Sequence, residues 1–282
     1  FNGIGGGGWG TERTTSRAFS SEVRALTKFD SPVNLMIGGY YQDTHFSFLS
    51  DDVFAGVRNS ADPAHDYITK VTDSYTDGKT IAAFGQVTWK ITPELELAGG
   101  VRYTHEKKDS FFIQPYANPL VVPAVFLPNV PVTANQVWNN WSPDITVKWQ
   151  PQRNVMVYGG YKTGYKSGGF SNSAIYNGAT PQGALEFQPE TARGFEGGVK
   201  ATLFDNQFLF NIGLYRYQYN DLQIDFFNSA TVSLITTNAG AAVTKGLEIE
   251  TQWSPRSMPG FNVHGTLNYD KSRYKDNQSP CW

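Results

Sequence analysis

Cysteine is almost missing from this chain: Cys281 is the only one in 282 residues, so no internal disulfide or cysteine metal site can form within it. Charge is sparse too, at 17%, where soluble domains carry roughly 25%. A formal net charge of −2 lacks the basic excess of a phosphate-binding surface, so nucleic acid is not an expected partner. No window holds the roughly 18 uninterrupted apolar residues that a membrane-crossing helix needs, which excludes helical membrane proteins. A leader is missing as well, since Phe1 opens directly onto Gly-rich sequence, and the expectation is a processed or excised piece. Catalytic signatures are equally scarce. G-x-S-x-G, Walker A and H-E-x-x-H do not occur. Gly3, Gly5 and Gly8 satisfy G-x-G-x-x-G without a strand before them or a helix after, and read as a flexible loop.

Aromatic residues and glycine are abundant, a sheet-rich recipe. Tight turns recur at Asp30-Ser31-Pro32, Ile91-Thr92-Pro93, Gln150-Pro151-Gln152, Asp205-Asn206 and Ser254-Pro255. Their spacing of roughly 50 to 60 residues requires internal structure in each interval. On either side of each turn the sequence alternates with the two-residue period of a strand that has one apolar face. Leu95, Leu97, Val101 and Tyr103 oppose Glu94, Glu96, Arg102 and Thr104. Ile145, Val147 and Trp149 oppose Asp144, Thr146 and Lys148, and Leu247, Ile249 and Trp253 oppose Glu248, Glu250 and Gln252. The pattern predicts an all-β fold of about ten antiparallel strands, each roughly 11 to 15 residues, joined alternately by short turns and by long loops near 47–78, 108–136, 167–188 and 224–238.

Such strands exceed the usual soluble length, and short turns at one end with long loops at the other describe a transmembrane β-barrel. Trp89, Trp149 and Trp253 each precede a short turn, where amphipathic rings sit at a lipid–water interface. Closure is required because hydrocarbon cannot satisfy a sheet edge. The inner face is then free to be charged, and Arg102, Lys148, Glu196, Lys200, Glu248 and Glu250 fall on the polar rows as expected lumen residues. A soluble sandwich or propeller is the bland alternative, and it accounts poorly for the strand length and loop asymmetry.

Several phrases carry a family likeness: Phe187-Gln188-Pro189-Glu190-Thr191-Ala192-Arg193 running into Glu196-Gly197-Gly198-Val199-Lys200, Tyr217 to Ile224, Lys245-Gly246-Leu247-Glu248-Ile249-Glu250, Gly164-Tyr165-Lys166-Ser167-Gly168-Gly169-Phe170, Phe19 to Arg24 and Phe84 to Trp89. In that order they resemble the barrel of TonB-dependent outer-membrane receptors. The resemblance implies that residues 1–282 are an interior part of one 22-stranded barrel domain, with the plug, the TonB box and the C-terminal strands absent from it. It implies a non-enzymatic receptor and transporter in the outer membrane of a Gram-negative bacterium, importing a scarce solute such as a siderophore, cobalamin or saccharide. Expected partners are outer-membrane lipid and lipopolysaccharide, the plug of the same protein, the TonB complex acting through that plug, and the solute. No cofactor is implied.

Position nominates Tyr165, Lys166 and Phe170 near the rim, Tyr116 and Phe126 in an apolar, proline-broken loop, and Arg102 in the lumen as substrate contacts. Cys281 is expected to pair with a cysteine beyond Trp282, as in similar receptors. Asp62, His65 and Asp66 suggest metal ligation only weakly, since such residues in polar loops are mostly hydrated, and no metal is expected. Two alternatives remain open: a passive porin, and an outer-membrane protease of the ten-stranded omptin kind, whose phrases are not seen.

Overall fold

Alternation over many residues makes long strands, and the protein's computed structural model, which describes residues 9–53, 57–120, 128–174, 182–228 and 233–277, places them in one sheet. In chain order the strands are β1 (Trp9–Leu26), β2 (Val33–Val53), β3 (Lys70–Lys90), β4 (Leu95–Ala117), β5 (Val132–Gln152), β6 (Val155–Lys166), β7 (Gly169–Phe170), β8 (Glu186–Phe187), β9 (Glu190–Leu203), β10 (Phe208–Asn220), β11 (Gln223–Asn228), β12 (Ser233–Asn238), β13 (Gly240–Trp253) and β14 (Val263–Asn277). Ten of them form a single antiparallel sheet in the order β1-β2-β3-β4-β5-β6-β9-β10-β13-β14. The short pairs β7–β8 and β11–β12 lie within two of the long connections. Among the described residues the helical turns are Pro63–His65 and Gln182–Leu185, neither able to cross a membrane.

Directly paired residues share a face, so the register fixes which side chains line up. Trp89, Leu97, Val147, Gly159, Gly197, Leu214, Leu247 and Tyr269 form one row across eight strands. This face is exposed although apolar: Trp141 and Phe195 each leave 66% of their surface uncovered, and Val147 leaves 43%. Leu97 and Ile249 share that face, since they pair with Val147 and Leu267. An apolar surface this broad on the outside needs hydrocarbon rather than water as its neighbour. Trp89, Trp149 and Trp253 sit on it beside the short turns, all partly exposed, at the position of an interfacial girdle.

Strand length departs from the sequence expectation. β2, β3 and β5 run for 21 residues and β4 for 23, so residues 47–53, 70–78, 108–117 and 132–136, expected as loop, are strand. The reason is a change of face. Near the long-loop end the buried apolar side chains, Phe48, Phe112, Val132 and Ala134, stand on the polar-row side instead of the lipid side. They are covered there by another part of the chain.

Candidate functional site

The described residues that follow β6, 167–174, lie across the polar face of β5, β4 and β3, and Glu186 joins them there. Pro143 supplies no N–H near the point where pairing of β5 with β6 stops, at Ile145 and Tyr161. Above it the two strands separate, and the chain after Lys166 enters the space between them and the polar face. Lys108 Nζ donates to Ser167 Oγ (2.7 Å) and to the Gly168 carbonyl (2.8 Å), and it pairs with Glu106 at 3.1 Å. Ser167 Oγ in turn donates to Glu106 (2.7 Å). A Cβ on Gly168 would meet the Trp138 ring at 2.6 Å, so only glycine lets the backbone lie this close.

Further along, Gln136 Nε2 donates to the Gly169 carbonyl and to Glu186, each at 3.1 Å. Ser74 Oγ reaches the Asn172 carbonyl (2.8 Å) and Thr76 Oγ1 reaches Asn172 Oδ1 (2.9 Å). Phe170, Ala174 and Leu185 close a small core with Phe112, Val132 and Ala134, in which Phe112 and Leu185 are fully buried. The β11–β12 hairpin locks onto this strap: Ile235 packs on the core, the Thr236 N–H donates to Ser171 Oγ (2.9 Å), and Gln223 Nε2 donates to the Ser167 and Gln188 carbonyls.

Beneath the strap the face is aromatic and charged. The Arg102 guanidinium lies 5.0 Å from the Tyr40 ring centroid and 5.5 Å from that of Phe84, while its Nε donates to Thr104 (3.2 Å). Lys108 stands 5.6 Å from the Trp138 ring. The Tyr165 hydroxyl is buried with no hydrogen-bond partner among the described residues, as are Gln136 Oε1 and Asn172 Nδ2. Three such atoms in one small region are sites that water or a polar ligand would satisfy.

The nominated residues fall in three places. Arg102 and Tyr165 border this region, and Lys166 is exposed at the end of β6 opposite Glu190. Phe170 belongs to the buried core, and Tyr116 stacks on His65 at 4.0 Å and accepts from Asn59 Nδ2 (3.0 Å), so both rings hold loops together. Phe126 and Cys281 lie outside the described residues, as do Gly3, Gly5 and Gly8. Lys148, Glu196, Lys200, Glu248 and Glu250 all share the polar face, where Glu196 accepts from Tyr217 (2.8 Å) and Glu250 from Asn211 (2.9 Å).

Among the described residues no cluster suits a metal. Asp62 is bound to His65 (2.8 Å), and Asp66 holds Arg58 (2.8 Å), a hydrogen bond that raises the already high guanidinium pKa. Glu106, Lys108, Trp138, Gln136 and Ser167 were not singled out by sequence. The available signal was Gly168-Gly169 directly after a strand, a place where backbone approaches closely.

A lipid-facing apolar band, a tryptophan girdle and a charged inner face define the class as the wall of an outer-membrane β-barrel. The chain belongs to the family described as TonB dependent receptor-like, beta-barrel, which it matches over residues 1–280. It is 25% identical to the pesticin receptor of Yersinia enterocolitica over 276 residues, covering 92% of this chain and 35% of that protein. Its fold is similar to the ferric yersiniabactin uptake receptor FyuA of Yersinia pestis, with a TM-score of 0.75 at 21% identity over 97% of this chain and 38% of that one. It is similar also to the ferric-catecholate import receptor Fiu of Escherichia coli K12, with a TM-score of 0.65 at 18% identity over 95% and 39%. The chain thus spans little more than a third of these relatives. It is an outer-membrane protein of a Gram-negative bacterium and belongs to a family of receptors, not enzymes.

Proposed function

We propose that the full-length protein is an energy-coupled importer of a ferric siderophore, and that this chain supplies part of its barrel wall and outer vestibule. The observation that carries the reading is the strap formed by residues 167–174 and 182–187. It covers the polar face at the loop end beside Lys108, Trp138 and the unpaired Tyr165 hydroxyl, with Arg102 on the same face. Such a vestibule offers cation–π faces and buried polar atoms to a bulky polar solute, as ligand sites do. The reading is supported by similar proteins that are named as ferric yersiniabactin and ferric-catecholate uptake receptors. A plug of the same protein would fill the polar face, and the TonB complex would act through it. Arg102, Tyr165 and Lys166 are the proposed ligand contacts; Tyr116 and Phe170 would act by holding loops, and Phe126 is the proposed contact from the apolar loop.

Uptake of radio-iron on a panel of siderophores tests the proposal, in a strain whose own receptors are deleted and which expresses the full-length protein. Uptake of at least one ferric siderophore is expected with TonB and none without it. Equal uptake in a TonB-deficient strain, or ion conductance through the purified protein without solute, would replace the importer with a passive channel.

A further inference from the structure

The polar face of β1 to β3 holds a second cavity at its loop end, of about 470 Å³, apart from the region around Arg102 and Tyr165. β1 and β2 give it Glu12, Phe46, Phe48 and Asp52, and β3 gives it Lys70. Ser173 of the strap and Leu234 of the β11–β12 hairpin complete it, so the cavity exists only where two long connections fold back onto the sheet. The register puts its charges in adjacent rows: Gly10, Asp52 and Lys70 in one, and Glu12, Ser50 and Thr72 in the next. Lys70 is almost wholly buried and its ammonium is engaged, paired with Asp52 and donating to Thr72 Oγ1 (2.8 Å). Asp52 also accepts from Ser50 Oγ (3.1 Å). That pair neutralises itself within the wall. Glu12 does not share in it: its side chain is exposed, and among the described residues no cation pairs with it. Two carboxylates against one ammonium leave the lining with a single unmatched negative charge.

Below that charge the cavity is apolar. Phe48 lies two residues closer to the membrane than Ser50, the partner of Glu12, and Phe46 lies four, which is about 7 and 13 Å along the strand. Phe48 is buried, Phe46 is half-buried and Leu234 is exposed, so the apolar end still has surface to cover. An anion would meet Glu12 and find Lys70 already occupied. An uncharged apolar molecule would fill the space and leave the carboxylate unmatched. A metal is not favoured either, since no group of ligating side chains gathers among the described residues. An organic ammonium ion on a short stem satisfies both ends, and its charge is welcome beside aromatic rings. Arg102 has the opposite character: its partners are two rings and Thr104, with no acid among the described residues. The face therefore offers a cation in one place and a carboxylate in another, which suits a solute with charges of both signs.

We propose that this cavity binds a primary ammonium group on a short apolar stem, carried as an arm of the solute, with the charge at Glu12 and the stem between Phe46, Phe48 and Leu234. That the arm belongs to an imported solute rests on the importer reading; the affinity for an ammonium ion does not. The test is saturation-transfer NMR on the full-length protein in detergent, with pentylammonium, pentanol and pentanoate, each measured against empty micelles. Pentylammonium should bind, pentanol about fivefold more weakly, and pentanoate more weakly still. Glu12→Gln should weaken pentylammonium about fivefold and leave pentanol unchanged. Leu234→Trp, which fills the cavity from the hairpin, should abolish binding of both, and Glu94→Gln at the opposite end of the barrel should change nothing. Glu12 and Leu234 are exposed, so neither variant threatens the fold. The gallium chelate of a linear trihydroxamate with a free aminopentyl arm should displace pentylammonium about fivefold better than the same chelate with its arm acetylated. Pentanoate binding as well as pentylammonium, or Glu12→Gln binding pentylammonium as the unaltered protein does, would overturn the site. Equal displacement by the two chelates would overturn its link to the solute. The assay needs neither iron nor TonB, so its failure is distinct from a failure of the importer reading.

Discussion

The sheet has a tall half and a short half. β1 to β5 run for 18 to 23 residues, whereas β6, β9, β10, β13 and β14 run for 12 to 15. A tilted strand needs only about 9 to 11 residues to cross hydrocarbon, so the short strands end close to the membrane and the tall ones continue well beyond it. The strap springs from the short half and leans on the tall one. The tall half uses its residues above the lipid to bury an apolar core against the strap, while the short half ends with exposed cations, Arg216, Lys245 and Lys271, on its outer face. A barrel wall can therefore be uniform within the membrane and specialised outside it.

The largest expected effect comes from cutting the link between the halves. Phe112 is fully buried between the tall strands and the strap, and Phe112→Ala should destabilise that local unit by about 3–5 kcal/mol. Hydrogen exchange and limited proteolysis at residues 167–174 and 182–187 in the full-length protein would read it as lost protection of the strap, with the short strands unchanged. Unaltered protection would mean that the strap is held from elsewhere.

Within the membrane the two halves should respond alike. Val147→Arg in the tall half and Ile249→Arg in the short half each place a cation in hydrocarbon, at about 2–4 kcal/mol. Lys148→Gln and Glu250→Gln, one residue away on the polar face, should stay within about 0.5 kcal/mol. Reversible unfolding in phospholipid vesicles measures all four. A small effect at Val147 or Ile249 would reverse the assignment of faces.

The band was legible in the sequence because hydrocarbon forces every second residue to be apolar, and rows such as Leu95, Leu97 and Val101 show it directly. The tall ends were not. Above the lipid, water faces His45, Asp77 and Asn135 on one side while the strap covers Phe112, Val132 and Ala134 on the other. The alternation continues with its sign reversed, and a reading that expects apolar residues outside takes it for loop. Of the site, Arg102 and Tyr165 could be nominated from position. Lys108, Gln136 and Ser74 could not, because their importance depends on a segment between 33 and 98 residues further along the chain folding back over them.

The smallest effect separates the two uses of charge on a single strand. Lys107 and Lys108 are neighbours on β4 with opposite orientations. Lys107 points outward, half exposed, in an ion pair with Asp109, and exposed pairs of this kind contribute about 0–1 kcal/mol. Lys108 is mostly buried and gives hydrogen bonds to Ser167 and Gly168 while pairing with Glu106. Lys108→Met would leave the Gly168 carbonyl without its donor and the Glu106 carboxylate with Ser167 alone and no counter-charge, costing about 1–3 kcal/mol. Glu106→Gln in the same background should recover part of the loss, because a neutral amide needs no counter-charge and can still accept from Ser167. Lys107→Met should be nearly silent in the same unfolding assay. A coupling energy of zero between Lys108 and Glu106 in the double-mutant cycle would show that the tie depends on the apolar core alone.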